Sequence, residues 1–297
     1  MNQFNSKLLL FGEYSIVKNG KGIAIPLHEF YGEFKFHADV DKISTQLRLN
    51  DFYEYLSSSG ILSKVLDLKS LKQDIDDGLY FDSNIPLGHG IGSSGALCAA
   101  LYYKYAFDFE KKDFYSQEEL KYLLDMMALM ESFYHGTSSG FDCLISLVNS
   151  SVLINHRNDV QIVKSPPLAK FGHFSLFETH IQRKTAPLVH QFLQDFETDD
   201  YFKKHFKEFQ VLTNDIIEYY LSENIDLFYH SFIALSHWQF QFFNHMIPKS
   251  LKSFWENGLL SKNYFVKFCG AGGGGYFIVY SKEKVIHENL IHILGEA

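Results

Sequence analysis
The chain has 297 residues, 46% of them hydrophobic, with 29 Phe and 18 Tyr; this excludes a disordered protein and allows one large domain or two ordinary ones. A formal net charge of −8 argues against a nucleic-acid-binding surface, so an anionic ligand needs positive charge supplied locally by a few residues. Cys98, Cys143 and Cys269 form no disulfide or zinc pattern, and neither a signal peptide nor a bilayer-length apolar run is visible, so a cytoplasmic protein without nucleic-acid or membrane partners is expected.

In chain order, Lys7 to Val17 reads as a strand broken at Gly12 and followed by a second short strand. Asn19-Gly20 signals a turn, Gly22 to Leu27 begins another strand, and Glu33 to Val40 alternates polar and apolar residues like an amphipathic strand. Asp51 to Leu66 is helical in pattern, with Asp51 and Glu54 spaced as a capping box. Gly78 to Ile85 reads as a strand and Ser94 to about Ala106 as a small-residue helix. Ser116 and Glu119 form another capping box, opening a helix to about Tyr134 that closes near Gly136.

A short helix Gly140–Val148, a strand Ser151–His156 and a turn at Arg157-Asn158-Asp159 follow. Ser165-Pro166-Pro167 is the candidate boundary between domains 1–164 and 165–297. Beyond it the pattern predicts a strand His173–Glu178, a helix Ala186–Asp195, aromatic-rich helices near Phe202–Leu221 and Ile225–His245, and a helix Lys249–Asn257. Strands Tyr264–Cys269 and Tyr276–Tyr280 flank the run Gly270–Gly275, and a closing helix ends the chain. Interleaved strands and helices in two subdomains give an α+β class.

The first candidate site lies between Ile85 and the helix at Ser94, where Gly88, Gly90 and Gly92 alternate and Ser93, Ser94 and Gly95 follow. Glycines let backbone N–H groups turn inward, and the first turn of a helix has unpaired N–H groups and positive dipole charge, which suits a phosphate. A plain strand-to-helix turn is the alternative. A Rossmann loop needs a second strand and an acid about 20 residues on; Asp108 and Glu110 sit near that distance, but in a charged connector with no strand after it. No Gly-Lys-Ser/Thr closes the loop, so serine hydroxyls rather than a P-loop lysine face the phosphates and their metal.

The second lies at the break after Glu131. That acid closes one helix, where the dipole is negative and a compensating cation such as a metal ion is called for; Asp142 lies in the first turn of the next, where the dipole keeps a carboxylate ionised. The plainer readings are a solvated Glu131 and a capping box from Ser139 to Asp142. The run Gly270–Gly275 is costly in entropy and points to close approach by something, with a flexible hairpin as the alternative. Lys7 by itself reads as a strand-edge lysine.

Together these segments resemble the GHMP kinases, the superfamily of galacto-, homoserine, mevalonate and phosphomevalonate kinases, and within it the mevalonate kinases. Ser6-Lys7 to Val17 resembles the first motif, Pro86 to Ala96 the phosphate loop, and Lys267 to Gly275 the third motif. His135-Gly136-Thr-Ser-Ser139-Gly140-Phe-Asp142, with Glu131 upstream, resembles the stretch bearing the catalytic aspartate and metal-binding glutamate. Arg183-Lys184-Thr185 resembles a substrate-side pattern. There are departures: Asn5-Ser6 replaces Pro-Gly, Tyr14 a His, Gly95 an Ala, Ser138 a Pro and Cys269 a Ser or Thr. Tyr14 and Gly95 look more like phosphomevalonate kinases.

The resemblance implies an N-terminal domain like domain 2 of ribosomal protein S5, a ferredoxin-like C-terminal domain, and a site between them. It implies transfer of the ATP γ-phosphoryl group to the 5-hydroxyl of mevalonate in isoprenoid synthesis, or else to phosphomevalonate or another small alcohol. Asp142 and Lys7 are then catalytic. Gly88, Gly90, Gly92, Ser93, Ser94 and Gly95 bind the nucleotide, and Ser94 and Glu131 hold Mg²⁺. Glu13, Arg183, Thr185, Gly272 and Gly273 lie on the substrate side, and a homodimer is an allowed assembly. A ligand-sensing homologue without catalysis would be marked by loss of the aspartate or the glutamate, and both are present.

Overall fold
The computed structural model describes residues 2–36, 49–156, 159–182 and 185–293. The chain forms two compact units interleaved along the sequence: Met1–Lys7, Pro26–Ile85 and Gly92–Ser150 make the first, and Leu8–Ile25, Pro86–Ile91 and Ser151–Ala297 the second. Strands β1 (Phe4–Phe11) and β2 (Gly22–Phe36) contribute residues to both. The strands expected at Gly22 and at Glu33 are therefore one; residues 37–40 of the latter lie outside the described residues.

In the first unit, helices α1 (Leu49–Ser58), α2 (Leu62–Val65) and α3 (Leu68–Asp76) precede β3 (Leu79–Ser83), which pairs antiparallel with β2 from Gly32 opposite Ser83 to Phe36 opposite Leu79. The single helix expected over Asp51–Leu66 is divided at Ser59-Gly60. The Ser59 hydroxyl accepts from the Leu62 amide at 3.2 Å, offering the backbone a partner that ends one helix and starts the next. Asp51 sits inside the first turn of α1 and so does not cap it.

The core of this unit is α4 (Ser93–Tyr105) against α5 (Gln117–His135) and α6 (Phe141–Val148). α4 is buried on nearly every side from Gly95 to Tyr102, as a helix without a polar face must be, and its alanines and Cys98 let neighbouring helices approach closely. The Ser116–Glu119 capping box forms as predicted and starts α5. Leu120, Leu123, Leu124, Met127 and Met130 then line its buried side at helical spacing.

In the second unit, Gly12 ends β1 with φ +114°. The short strand expected after it is a 3-10 turn at Ile16–Lys18, because Tyr14 takes φ +59° and the Ser15 amide turns back to the Glu13 carbonyl. Residues Gly22–Ala24 of β2 pair with β4 (Ser151–His156), which pairs with β5 (Asp159–Val163). Ser165-Pro166-Pro167 lies inside this unit, where Tyr220 donates its phenolic hydroxyl to the Pro166 carbonyl at 2.7 Å.

A second sheet, antiparallel throughout, runs in the order β7 (Phe265–Phe268), β8 (Tyr276–Ser281), β6 (His173–Glu178), β9 (Leu290–Ile293). Where a closing helix was expected, Leu290-Ile-His-Ile293 alternates with period two and pairs with β6 as β9. Helices α7 (Thr185–Thr198), α8 (Asp200–Leu221), α9 (Ile225–Phe242) and α10 (Lys249–Ser261) complete the unit. Asp199 and Asn224 cap α8 and α9 by accepting from the Phe202 and Leu227 amides. Phe206, Phe209, Phe228 and Phe232 from these helices are fully buried, each contributing about 1.5–3 kcal/mol of apolar burial. Among the described residues no helix is long and apolar enough to cross a membrane.

Candidate active site
Lys7, Gly92, Ser94, Gly95, Glu131 and Asp142, all named from the sequence, come together in the first unit. Lys7, at the end of that unit's part of β1, places its ammonium 3.0 Å from Asp142 Oδ1. The Lys7 side chain is 7% exposed and that of Asp142 33%, so the cation is buried against its partner while the carboxylate keeps an open side. Asp142 lies in the first turn of α6, whose N-cap is Gly140 with φ +75° and no capping side chain. The capping box from Ser139 to Asp142 is therefore not formed, and the carboxylate faces Lys7 instead.

The start of α4 is pressed against this pair. Gly92, its N-cap, takes φ +84°, and a Cβ there would lie 3.1 Å from Lys7 Cγ. A Cβ on Gly95 would lie 2.9 Å from the Asp142 carbonyl carbon and 3.0 Å from the Cys143 nitrogen. Only glycine lets the first turn of α4, with its unpaired N–H groups, reach Asp142 so closely.

Glu131 is 5% exposed, so it is not a solvated surface acid. Ser94 Oγ donates to its Oε1 at 3.1 Å and also lies 3.1 Å from His135 Nε2. Ser138 Oγ donates to Oε2 and accepts the Gly140 amide hydrogen at 3.0 Å. Burial, and next the negative charge of Asp142, push the Glu131 carboxyl above the usual carboxylate range, while Ser138, His135 and Ser94 pull it back. Among the described residues no three His, Cys, Asp or Glu side chains gather as a resident metal site. Ser94 and Glu131 present a hydroxyl and a carboxylate, oxygen donors of the kind that a hard cation such as Mg²⁺ takes.

Ser93 opens α4 in the first unit, and the other described residues named from the sequence fall in the second. Gly88 and Gly90 take φ +75° and +78°, so with Gly92 three alternate glycines are left-handed. Among the described residues, no hydrogen bond takes up the backbone N–H groups of Gly88, His89 or Gly90. His89 is anchored by its side chain: Nε2 lies 3.2 Å from Glu178 Oε1, and the ring packs 5.2 Å from that of Tyr276. The run Gly270–Gly275 is packed rather than a flexible hairpin, and what approaches it is the chain itself. A Cβ on Gly275, with φ +69°, would lie 2.5 Å from the His89 carbonyl oxygen, and the Gly275 amide donates to Ile181 at 2.7 Å. Gly272 and Gly273 lie in the same packed run, both with positive φ.

Glu13, placed on the substrate side by the resemblance, is 2% exposed, and its carboxylate is engaged by the Lys267 ammonium, which also donates to the Phe268 carbonyl. Burial pushes Glu13 up and Lys267 down, and each charge holds the other against that shift. Gln239 completes the cluster by accepting the Phe268 amide hydrogen at 2.9 Å. Thr185 is exposed at the start of α7; Arg183 lies outside the described residues. Three contributors were not singled out as site residues from sequence: Ser138, His135 and Lys267. Ser138 and His135 belong to the motif around Asp142, but nothing in their spacing says that Ser138 reaches Glu131 and His135 reaches Ser94.

Residues 58–150, which include the glycine and serine loop before α4, Glu131 and Asp142, match the family model of the GHMP kinases N terminal domain. No curated protein sequence matches the chain. The fold is shared with a Lin0012 protein from Listeria innocua, at 16% identity, 95% of this chain, 90% of that chain and a TM-score of 0.66. It is shared with the L. major mevalonate kinase solved in complex with R-mevalonate (18% identity, 94% and 86%, TM-score 0.64). The Streptococcus pneumoniae phosphomevalonate kinase solved with phosphomevalonate and AMPPNP is similar as well (14% identity, 95% and 92%, TM-score 0.62). At such identities what is common is the fold.

Proposed function
We infer, for a chain that carries a GHMP kinase N-terminal domain within the fold of that superfamily, that it transfers the γ-phosphoryl group of ATP to the 5-hydroxyl of mevalonate. The observation that carries this reading is the Lys7–Asp142 pair, 3.0 Å apart with one carboxylate side open, beside the amino end of α4. Phosphoryl transfer asks a protein mainly for positioning and charge stabilisation, and this pair with its helix end offers both.

In this mechanism backbone N–H groups from Gly88 to Gly95, with the Ser93 hydroxyl beside them, bind the phosphates. Ser94 and Glu131 would hold Mg²⁺, and the ion would supply charge neutralisation for the transferring group. Asp142 accepts the proton of the attacking hydroxyl on its open side, and the Lys7 ammonium beside it stabilises the developing alkoxide. Arg183, with Thr185, is suited to the acceptor's carboxylate. Gly272 and Gly273 lie in a run packed by the chain itself, against Phe268 and Leu188, and Glu13 is occupied with Lys267 and serves the packing of the first motif.

The second reading, phosphomevalonate or another small alcohol as acceptor, is favoured by Tyr14 and Gly95. Tyr14 donates its hydroxyl to the Ala271 carbonyl at 2.7 Å, so this departure shapes the glycine run itself. A coupled ATP-consumption assay with mevalonate, phosphomevalonate and galactose separates these readings. Fastest turnover of mevalonate is expected. Faster turnover of phosphomevalonate overturns the acceptor, and binding without turnover of any of them overturns the kinase.

A further inference from the structure
Ser138 stands where the resembled pattern has proline, and no part of the phosphoryl-transfer chemistry needs a hydroxyl at that position. Its oxygen accepts the Gly140 amide hydrogen at 3.0 Å, which fixes the hydroxyl in the turn between α5 and α6. Held there, it has one proton to give, and it gives it to Glu131 Oε2. The other carboxylate oxygen, Oε1, faces Ser94 Oγ at 3.1 Å. The two oxygens of Glu131 therefore have different neighbours: one is tied to the turn that leads into Asp142, the other lies beside the second oxygen donor.

We propose that Ser138 is a positioning residue that fixes Glu131 as a one-oxygen metal ligand, occupying Oε2 so that Oε1 and Ser94 Oγ together face the cation. This rests on the reading of Glu131 and Ser94 as the Mg²⁺ donors. A buried carboxylate without that bond could rotate and offer both oxygens, or turn away from Ser94. Partners of this kind, which orient a ligand without touching the metal, typically change metal affinity by about 10–100-fold when removed.

The test compares the whole protein with Ser138→Ala, Ser138→Thr and Glu131→Gln. The readout is the factor by which Mn²⁺, standing in for Mg²⁺, tightens binding of a non-hydrolysable ATP analogue, with metal-free nucleotide affinity measured alongside. Ser138→Ala is expected to lower that factor by roughly 10–100-fold and leave metal-free affinity within about twofold, and Ser138→Thr, which keeps the hydroxyl, to restore it. The proposal is overturned if Ser138→Ala keeps the full Mn²⁺ effect, or if it weakens metal-free binding to the same extent. If Glu131→Gln itself keeps the full effect, the metal assignment beneath the proposal has failed instead.

Discussion
Lys267→Met tests the idea that the first and third motifs are joined by a buried charge pair. The side chains of Lys267 and Glu13 are 0% and 1% exposed, so removing the ammonium leaves a carboxylate with no water to turn to. Breaking a buried pair from one side costs about 3–5 kcal/mol. The Phe268 carbonyl also loses a donor, which adds about 1 kcal/mol. At roughly 2–4 °C per kcal/mol, a thermal midpoint lower by about 8–24 °C is expected for the unit that holds the pair. Glu13→Leu combined with Lys267→Met removes both charges and should recover most of the loss.

The pH dependence of that variant has a definite sign. Burial already holds the Glu13 carboxyl above its ordinary value, and without Lys267 only a backbone hydrogen bond and Gln239 are left to oppose the shift. A group whose folded pKa exceeds its unfolded pKa favours the folded state below the unfolded value and loses that advantage as pH rises through the folded one. The deficit of Lys267→Met against the parent should therefore shrink as pH is lowered towards the ordinary glutamate range, and be greatest above the raised folded pKa. Thermal or urea melts across this range provide the measurement. A single variant losing less than about 1 kcal/mol, or a double variant no better than the single, would refute the reasoning.

Other substitutions report on the site itself. Asp142→Asn should lower single-turnover phosphoryl transfer by about 10²–10⁴-fold or more while ATP affinity stays within a few-fold; near-normal transfer would remove Asp142 from its role. Gly95→Ala gains about 1 kcal/mol of helix propensity but places a methyl group against the backbone of Asp142 and Cys143, and overpacking of that kind costs about 1–3 kcal/mol. A lower melting temperature together with reduced turnover is expected, and a more stable variant of undiminished turnover would mean that the contact relaxes freely. Chelation of divalent cations with EDTA should abolish turnover and excess Mg²⁺ restore it; turnover that survives chelation would remove the metal from the reaction.

Much of the fold was legible because local chemistry decided it. Ser116 and Glu119 sit at the spacing that lets a side chain and a backbone amide satisfy each other, and they start α5 where expected. The aromatic spacing of α8 and α9 marked two long amphipathic helices because their phenylalanines recur on one side. What escaped was decided by small competing terms. Ser59 and Gly60 divide a helix whose apolar pattern runs on across them, and Leu290–Ile293 is a strand because β6 offers an edge to pair with, a fact about another part of the chain.

The site shows the same division between chemistry that is local and chemistry that is not. Asp142 in a helix's first turn and glycines before another are local facts, so both were readable. The partner that relieves a buried group is set by tertiary contact and could not be read in this way. Glu13 illustrates the consequence: a motif glutamate looks free to bind a substrate until Lys267, 254 residues away, is found on its carboxylate. The proposed ligand is a polyanion and the chain is acidic, yet among the described residues Lys7 and Lys267 are both buried against carboxylates. Lys267 is wholly enclosed with Glu13, whereas Lys7 holds an Asp142 that remains one-third exposed. A fully enclosed pair has no side left for a substrate, whereas a half-open one leaves a carboxylate edge that a substrate can reach, which is why the proposed chemistry is placed on Lys7 and Asp142 rather than on Lys267 and Glu13.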